Sequence, residues 1–392
     1  MNGFKRICAV IAGAVLFISG GLKLMDPLGA SLVVQEYLKF FHLNFLSFAS
    51  AVIGVVLALF EGVLGAALIT GVWRRFCAIA SLCLFGVFTM ITAVLWIAGA
   101  SFDCGCFGEA LHLEHWQSFV KNIALLILWC IAFAPLREDY GRPQKVKYAS
   151  FAIASVSIAL FGLYSILSIP MVDFTNLKPG TELSGADGEN FDDITAAIYE
   201  KNGREGAFTP DCPPDSTWTF VRYQNYGRGF VDDEAPGQPL SFCNAFGNYA
   251  DSLALGEKVM IISSWNPQAL SERRTDALEK FALSAEKAGF AVLFLVSGTP
   301  ETVKTSSPSL AAVTYFADRR LLMTLNRSNG GVTYVSGGLI TAKWPAGSLP
   351  DASELGSVGK KDPVEYLMRR SSKGKVRFQG FLLYTFAVML LL

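Results

Sequence analysis

Five apolar runs in the first 170 residues decide most of what this chain is able to fold into: Ile7 to Met25, Phe45 to Thr70, Phe76 to Ala98, Phe119 to Ala134 and Tyr148 to Ile169. A bilayer-crossing helix needs roughly 20 such residues, and in hydrocarbon every backbone amide has to be paired inside its own segment. The first part of the chain is therefore expected to be a membrane α-helical bundle of four to five spans. A further run, Phe378 to Leu392, gives a candidate sixth. Between them, Val172 to Lys375 is polar, ordinarily charged and rich in Gly and Pro, the composition of a water-soluble domain. The first run reads as a retained helix rather than a signal peptide, because it lacks a small-x-small cleavage site and ends in Lys23, Asp26 and Pro27.

Basic residues in the short connections set the expected orientation. Lys5 and Arg6, Arg74 and Arg75, and Arg137, Arg142, Lys145 and Lys147 fall on one side, which makes that side cytoplasmic. The Asp103 to Glu114 loop and Val172 to Lys375 then lie outside. Arg369, Arg370, Lys373, Lys375 and Arg377 sit on the other side, against the rule, just before the sixth run. The formal net charge is +0, so no global basic field draws nucleic acid, and no nucleic-acid motif is present. The expected partners are membrane lipid and extracytoplasmic protein thiols or an envelope protein, with a membrane quinone as candidate electron acceptor.

Of the eight cysteines, Cys8, Cys77, Cys83 and Cys130 fall in or near apolar runs, where a lone thiol behaves as a small apolar residue. Cys104 and Cys106 stand one residue apart in the outer loop. In an oxidising compartment two such thiols are expected to form a disulfide, and a ring closed over one residue departs from relaxed geometry, which makes the bond exchangeable. Gly105 and Gly108 suit the tight backbone. Three readings stand at this point: a thiol–disulfide exchange centre, a structural bridge, or a metal site in which His112 and His115 complete a soft-ligand set for zinc or copper. In the first, Glu109, Glu114 or His112 would move protons. Cys212 and Cys243, flanked by prolines, are expected to form a structural disulfide, with exchange against Cys104 and Cys106 as the alternative.

Glu61 lies deep in the second run, where an ionisable group is costly and marks a functional candidate. Lys23 is the obvious cation. A helix entering at Phe45, however, puts Glu61 ~24 Å down its axis at 1.5 Å per residue, whereas Lys23 lies within one turn of the surface. The expectation is thus no direct pair, with hydrogen bonds to Thr89 or Thr92 instead, and with proton handling and helix packing both open as its role. Ser19, Gly20 and Gly21 favour close helix approach, and Asp26-Pro27 is expected to stop the first helix.

Taken in order, Phe17-Ile18-Ser19-Gly20-Gly21-Leu22-Lys23-Leu24-Met25-Asp26-Pro27, Glu36-Tyr37-Leu38, Glu61 and the Asp103-Cys104-Gly105-Cys106-Phe107-Gly108 loop resemble the DoxX/MauE group of redox-associated membrane proteins over roughly Met1 to Pro135. The resemblance implies a four-helix domain over residues 1–136 in a bacterial inner membrane, with the large domain in the periplasm. It also implies a link to extracytoplasmic disulfide formation or thiol metabolism, including maturation of the disulfide-rich methylamine dehydrogenase small subunit in methylamine utilisation. Cys104 and Cys106 would be the family's cysteine motif. Residues 137–171 then form a cytoplasmic loop and fifth helix, 172–256 an extracytoplasmic extension, and 376–392 the candidate sixth span.

From residue 257 to 375 the pattern is α/β. Val259 to Ser263 and Phe290 to Val296 read as buried strands around a helix over Ala269 to Ala288, and Val332 to Val335 and Leu339 to Lys343 read as a hairpin. This order resembles the C-terminal part of a thioredoxin-like domain of the TlpA type. A working thioredoxin needs Cys-x-x-Cys after its first strand, whereas this chain has Trp265-Asn266-Pro267-Gln268-Ala269, so no thiolate is available there. No histidine follows His115, which excludes a Ser-His-Asp hydrolase in that domain. The expected function is extracytoplasmic thiol and disulfide metabolism through Cys104 and Cys106. The alternative is a membrane scaffold whose redox-inactive domain binds an envelope protein.

Overall fold

The computed structural model describes residues 3–100, 102, 104–111, 113–134, 145–184, 195–201, 204–208, 219–225, 237–300 and 307–391. The membrane part contains α1 (Gly3–Met25), α2 (Pro27–Phe40), α3 (Ser50–Thr70), α4 (Arg74–Ile97), α5 (His115–Phe133) and α6 (Lys145–Leu167). Among the described residues, five segments are long and apolar enough to cross a membrane: Gly3–Met25, Asn44–Thr70, Arg74–Ile97, His115–Phe133 and Lys145–Leu167. They make a multi-pass helical bundle. Its tightest contact joins α1 to α3 through glycines, because a Cβ on Gly20 would stand 2.6 Å from the Ala58 carbonyl oxygen and one on Gly65 would stand 2.6 Å from that of Gly13. With no hydrophobic drive between helices in lipid, such backbone contact supplies the packing energy. Gly71 closes α3 in the left-handed region (φ 79°), and Arg6 donates to the Leu68 carbonyl at 3.0 Å, satisfying a last-turn acceptor that has no helical partner.

The Asp26-Pro27 stop is half right. It ends α1, but Asp26 is also the N-cap of α2, its Oδ1 accepting from Gly29 N at 3.0 Å with Pro27 in the first turn. The sequence reading had no helix here. Asn44–Ala49 then form a short 3₁₀ helix before α3 begins at Ser50.

Beyond α6 come β1 (Leu183–Ser184), β2 (Thr195–Lys201), β3 (Arg204–Phe208), β4 (Thr219–Asn225), β5 (Gln238–Pro239), β6 (Phe242–Cys243), β7 (Val259–Ser264), α7 (Glu272–Lys287), β8 (Ala291–Val296), α8 (Pro308–Ala312), β9 (Thr314–Ala317), α9 (Arg319–Leu325), β10 (Gly331–Ser336), β11 (Leu339–Trp344), α10 (Ala352–Val358) and α11 (Pro363–Leu391). Six strands form one mixed sheet in the order β11-β10-β7-β8-β9-β6. β7, β8 and β9 run parallel, while β10 and β6 join antiparallel. Every residue of β7 is buried, as a central strand covered on both faces requires. One face packs Met260, Ile262 and Val332 against Leu278, Phe281 and Ala285 of α7; the other packs Ile261, Leu293 and Val335 against Leu177, Leu240, Leu322 and Leu325. The expected strands, helix and hairpin fall on β7, α7, β8, β10 and β11. β9 escaped the sequence reading because four residues carry too little periodicity. A separate antiparallel sheet has the order β3-β2-β4.

Three ion pairs fasten this domain down. Arg327, beside β10, meets Asp26 at 2.7 Å with both side chains largely buried, Arg320 of α9 pairs with Glu36 of α2, and Lys343 of β11 holds Asp173 at 2.6 Å. The candidate sixth run is the second half of α11, which lies against the bundle: Phe381 stacks on Phe161 with centroids 4.7 Å apart, and Phe386 meets Phe17 edge-on at 5.1 Å.

Candidate functional site

The loop between α4 and α5 folds back onto α1 and α2. Gly105 (φ 61°) and Gly108 (φ 60°) both occupy the left-handed region, and a Cβ on Gly105 would run into the Val33 side chain of α2. Only glycine allows that contact. The turn sets Cys104 Sγ 2.8 Å from Cys106 Sγ. Cys104 is buried and Cys106 partly exposed. The Tyr37 hydroxyl of α2 donates to the Cys104 carbonyl, and Phe102 packs edge-on between Tyr37 and His115.

Directly beneath lies a buried ion pair. Lys23 Nζ is 2.5 Å from Glu61 Oε1, with Glu61 fully buried. Ser19 Oγ lies 2.8 Å from Glu61 Oε2 and 2.7 Å from the Cys106 carbonyl oxygen, so its one proton serves two acceptors and ties the thiol loop to the pair. The expectation of no direct Lys23–Glu61 contact is wrong. A second span starting at Phe45 would put Glu61 too deep for a Lys23 at the surface. In the structure α3 begins at Ser50, and Gly20 touches Ala58 and Gly62. Lys23, one turn beyond Gly20, therefore reaches Glu61. Thr89 and Thr92 are not its partners, since their hydroxyls donate to the Phe85 and Phe88 carbonyls at 2.6 and 2.8 Å.

The two thiols polarise each other. The hydrogen bond with Cys106, then burial, pushes the Cys104 thiol far up. The hydrogen bond from Cys104 pulls Cys106 down against burial, helped by the charges of Lys121 and Lys23. Burial, and then the neighbouring Cys104, keeps the Tyr37 phenol protonated. The reduced pair therefore holds one proton, on the buried sulfur, and presents a thiolate at the partly exposed one. Beside it, α2, α3 and α4 enclose a cavity of about 110 Å³ whose walls include Val33, Leu57, Phe88 and Ile91, with Lys23, Cys104 and Cys106 at one side.

Of the other expected site residues, His115 is buried at the start of α5, Glu109 falls in the short turn Gly108–Ala110, and Glu114 caps α5 and accepts from Trp116 Nε1 at 2.6 Å. His112 and the Glu109 side chain lie outside the described residues. Among the described residues no three His, Cys, Asp or Glu side chains converge as a metal-binding set. Cys243 is a free thiol in β6, and its expected partner Cys212 lies outside the described residues. Ser19 and Tyr37 were missed. Ser19 shares a helix face with Lys23 at i,i+4 and was open to being read as its companion; Tyr37 stands in the Glu36-Tyr37-Leu38 stretch of the family resemblance, but nothing there ties it to the thiol loop.

In the sheet domain, the turn after β7 is held by amides. Asn329 Oδ1 accepts from Asn266 N and Ser264 Oγ, each at 3.0 Å, and Asn329 Nδ2 donates to the Asn266 carbonyl at 2.8 Å. This turn contains no thiol.

Residues 1–135 match the family model for methylamine utilisation protein MauE. The bundle is MauE-like. The match covers α1 to α5 and so includes Lys23, Glu61, Cys104 and Cys106. A domain of unknown function matches residues 195–225, the segment of β2, β3 and β4. No curated protein and no solved structure matches the chain.

Proposed function

We propose that this MauE-like membrane protein works in extracytoplasmic thiol and disulfide metabolism, with Cys104 and Cys106 as the exchanging pair. What supports the reading is the placement of the two sulfurs 2.8 Å apart over a buried Lys23–Glu61 pair. In the oxidised protein a substrate thiolate attacks one sulfur of the Cys104–Cys106 disulfide. The other sulfur leaves as thiolate, and the second substrate thiol resolves the mixed disulfide, releasing an oxidised substrate and a reduced pair. Attack falls on the partly exposed Cys106 and Cys104 leaves first; the depressed Cys106 thiol is the good leaving group of the resolving step, and Cys104 takes up the proton of the second substrate thiol. A quinone-class acceptor is the candidate for the neighbouring cavity: Val33, Phe88 and Ile91 suit a flat ring, Lys23 supplies a donor, and closing the thiol–thiolate pair to a disulfide delivers two electrons and one proton to it, the second proton coming from water. We take the mounting to be the bacterial inner membrane with the sheet domain in the periplasm, a reading supported by the basic residues of the short loops. MauE, by name a methylamine utilisation protein, makes a disulfide-rich protein of that system a candidate substrate.

The sheet domain we read as thioredoxin-like and redox-inactive. Asn266 and Ala269 stand where cysteines would, and its Arg327 meets Asp26 at the α1–α2 corner while its Arg320 meets Glu36 further along α2. Its role in this reading is to hold a partner protein over that loop.

Thiol trapping with mass spectrometry across a redox titration tests the exchange. A pair cycling near or above ~ −200 mV, the range of oxidising exchangers, supports it. A pair that resists reduction, with Cys104→Ser affecting stability alone, makes the protein a scaffold.

A further inference from the structure

The basic cluster on α11 was left unexplained by loop charge, and its geometry gives it a separate use. Arg369, Lys373 and Arg377 recur every four residues, so they share one helix face over ~12 Å. All three are exposed, and none pairs with a carboxylate among the described residues. They line a groove of about 590 Å³ whose other wall is the end of α6 and the chain that follows it: Tyr164, Ile169, Pro170 and Met171. Gly374 presses α11 against the Met171 carbonyl, where a Cβ would collide, so this wall is fixed. Lys361 and Arg370 also border the groove, giving five cations against the two carboxylates Glu354 and Glu365. Glu354 is already engaged by Arg370 at 3.6 Å and by Trp344 Nε1 at 3.1 Å.

The level of this stripe matters as much as its charge. The candidate span of α6 ends at Leu167, and immediately past Arg377 helix α11 turns apolar, with Phe378, Phe381 and Phe386 packed against the bundle. Cations therefore stand where a headgroup would lie, and an apolar helix face continues where acyl chains would run. Exposed Tyr164 adds an amphipathic ring at that boundary. Charge of this sign cannot be serving as a cytoplasmic retention signal, because it lies at the opposite end of the spans from Lys5, Arg6, Arg74 and Arg75.

We propose that the groove between the end of α6 and the Arg369–Lys373–Arg377 face of α11 binds the phosphate of an anionic phospholipid headgroup. Arginine matches a phosphodiester with two parallel donors, and lysine adds a point charge. Bound lipid would fasten the stem that carries the sheet domain to the membrane surface.

The test uses the full-length chain in detergent, with phosphatidylglycerol or phosphatidylcholine added and lipid retention read by native mass spectrometry. Phosphatidylglycerol is expected to be retained over phosphatidylcholine. The triple variant R369Q/K373Q/R377Q should lose phosphatidylglycerol on the order of a hundredfold, at roughly fivefold per cation near an anionic surface, and leave phosphatidylcholine unchanged. Equal retention of the two lipids by the parent chain, or an unchanged triple variant, overturns the proposal. So does displacement of phosphatidylglycerol by millimolar inorganic phosphate, which would make this a soluble-phosphate site. Should the triple variant fail to fold, the parent chain still decides: its preference for phosphatidylglycerol must weaken as salt is raised.

Discussion

Two tight turns in this molecule are pinned by side chains from elsewhere, and the pins differ in kind. The Cys104 to Cys106 loop rests on a buried ion pair through Ser19. The Trp265-Asn266-Pro267 turn after β7 rests on the neutral amide of Asn329. An amide satisfies backbone donors and acceptors without imposing a field, so its turn is held and inert. A lysine–glutamate pair also holds its turn, but it adds charge next to two thiols that titrate. Rigidity is common to both sites; the field belongs to one.

Removing one charge should give the largest effect. Glu61→Gln keeps the shape and the Ser19 contact but leaves Lys23 buried without a counter-ion, a loss of about 3–5 kcal/mol for a broken buried pair. The double change Lys23→Met with Glu61→Leu should recover much of it. Thermal unfolding in nanodiscs measures both, and a Glu61→Gln protein as stable as its parent would show that the pair is not what holds the loop.

Asn329→Ala comes next at about 2 kcal/mol, since it leaves the Asn266 amide and carbonyl without partners in a part-buried turn. The comparison demands that Cys106 alkylation be untouched by it. A changed alkylation rate would mean that the two turns are coupled through the Arg327–Asp26 contact. Gly105→Ala should cost somewhat less, roughly 1–2 kcal/mol for a left-handed residue, with added displacement of Val33. It should also alter Cys106 reactivity by moving the sulfurs apart, and the same alkylation assay checks it.

How much of this was legible in the sequence follows from the range of each interaction. The five spans were readable because hydrocarbon imposes a long, uniform apolar demand, and β7, α7, β8 and the β10–β11 hairpin were readable from local periodicity. Gly105 and Gly108 announced a tight turn. The Lys23–Glu61 pair was argued away because its geometry depends on α2, a helix of mixed polarity that the sequence reading took for a connection. Without α2, Phe45 looked like the membrane entry and the register of α1 against α3 was lost, although Gly13, Gly20 and Gly65 mark that register once the two helices are known to touch. Tyr37 and Asn329 act across the fold on backbone groups, and nothing local distinguishes such a tyrosine or asparagine from any other.

The smallest effect on stability, and the sharpest on chemistry, is the pH dependence of the reduced thiol pair. Cys106 is pulled down and Cys104 pushed up. Below the ordinary thiol value of about 8.5, the unfolded chain carries two thiol protons where the folded pair carries one, so stability rises with pH once Cys106 has ionised. Above that value the unfolded chain carries none and the folded pair still one, so stability falls again. The two contributions oppose each other, and the pair's share of stability peaks near the unfolded thiol value. Reactivity has no such cancellation. Iodoacetamide should modify Cys106 at a rate that stays on its plateau through neutral pH and drops only in acid, while Cys104 stays unreactive into the alkaline range. Cys104→Ala removes the hydrogen bond that does most of the lowering, so the Cys106 profile should move back towards an ordinary thiol. An alkylation midpoint for Cys106 already near 8.5 in the parent protein would mean that neither the Cys104 hydrogen bond nor the charges of Lys121 and Lys23 lower this thiol, and the contrast between the two turns would reduce to one of residue type alone.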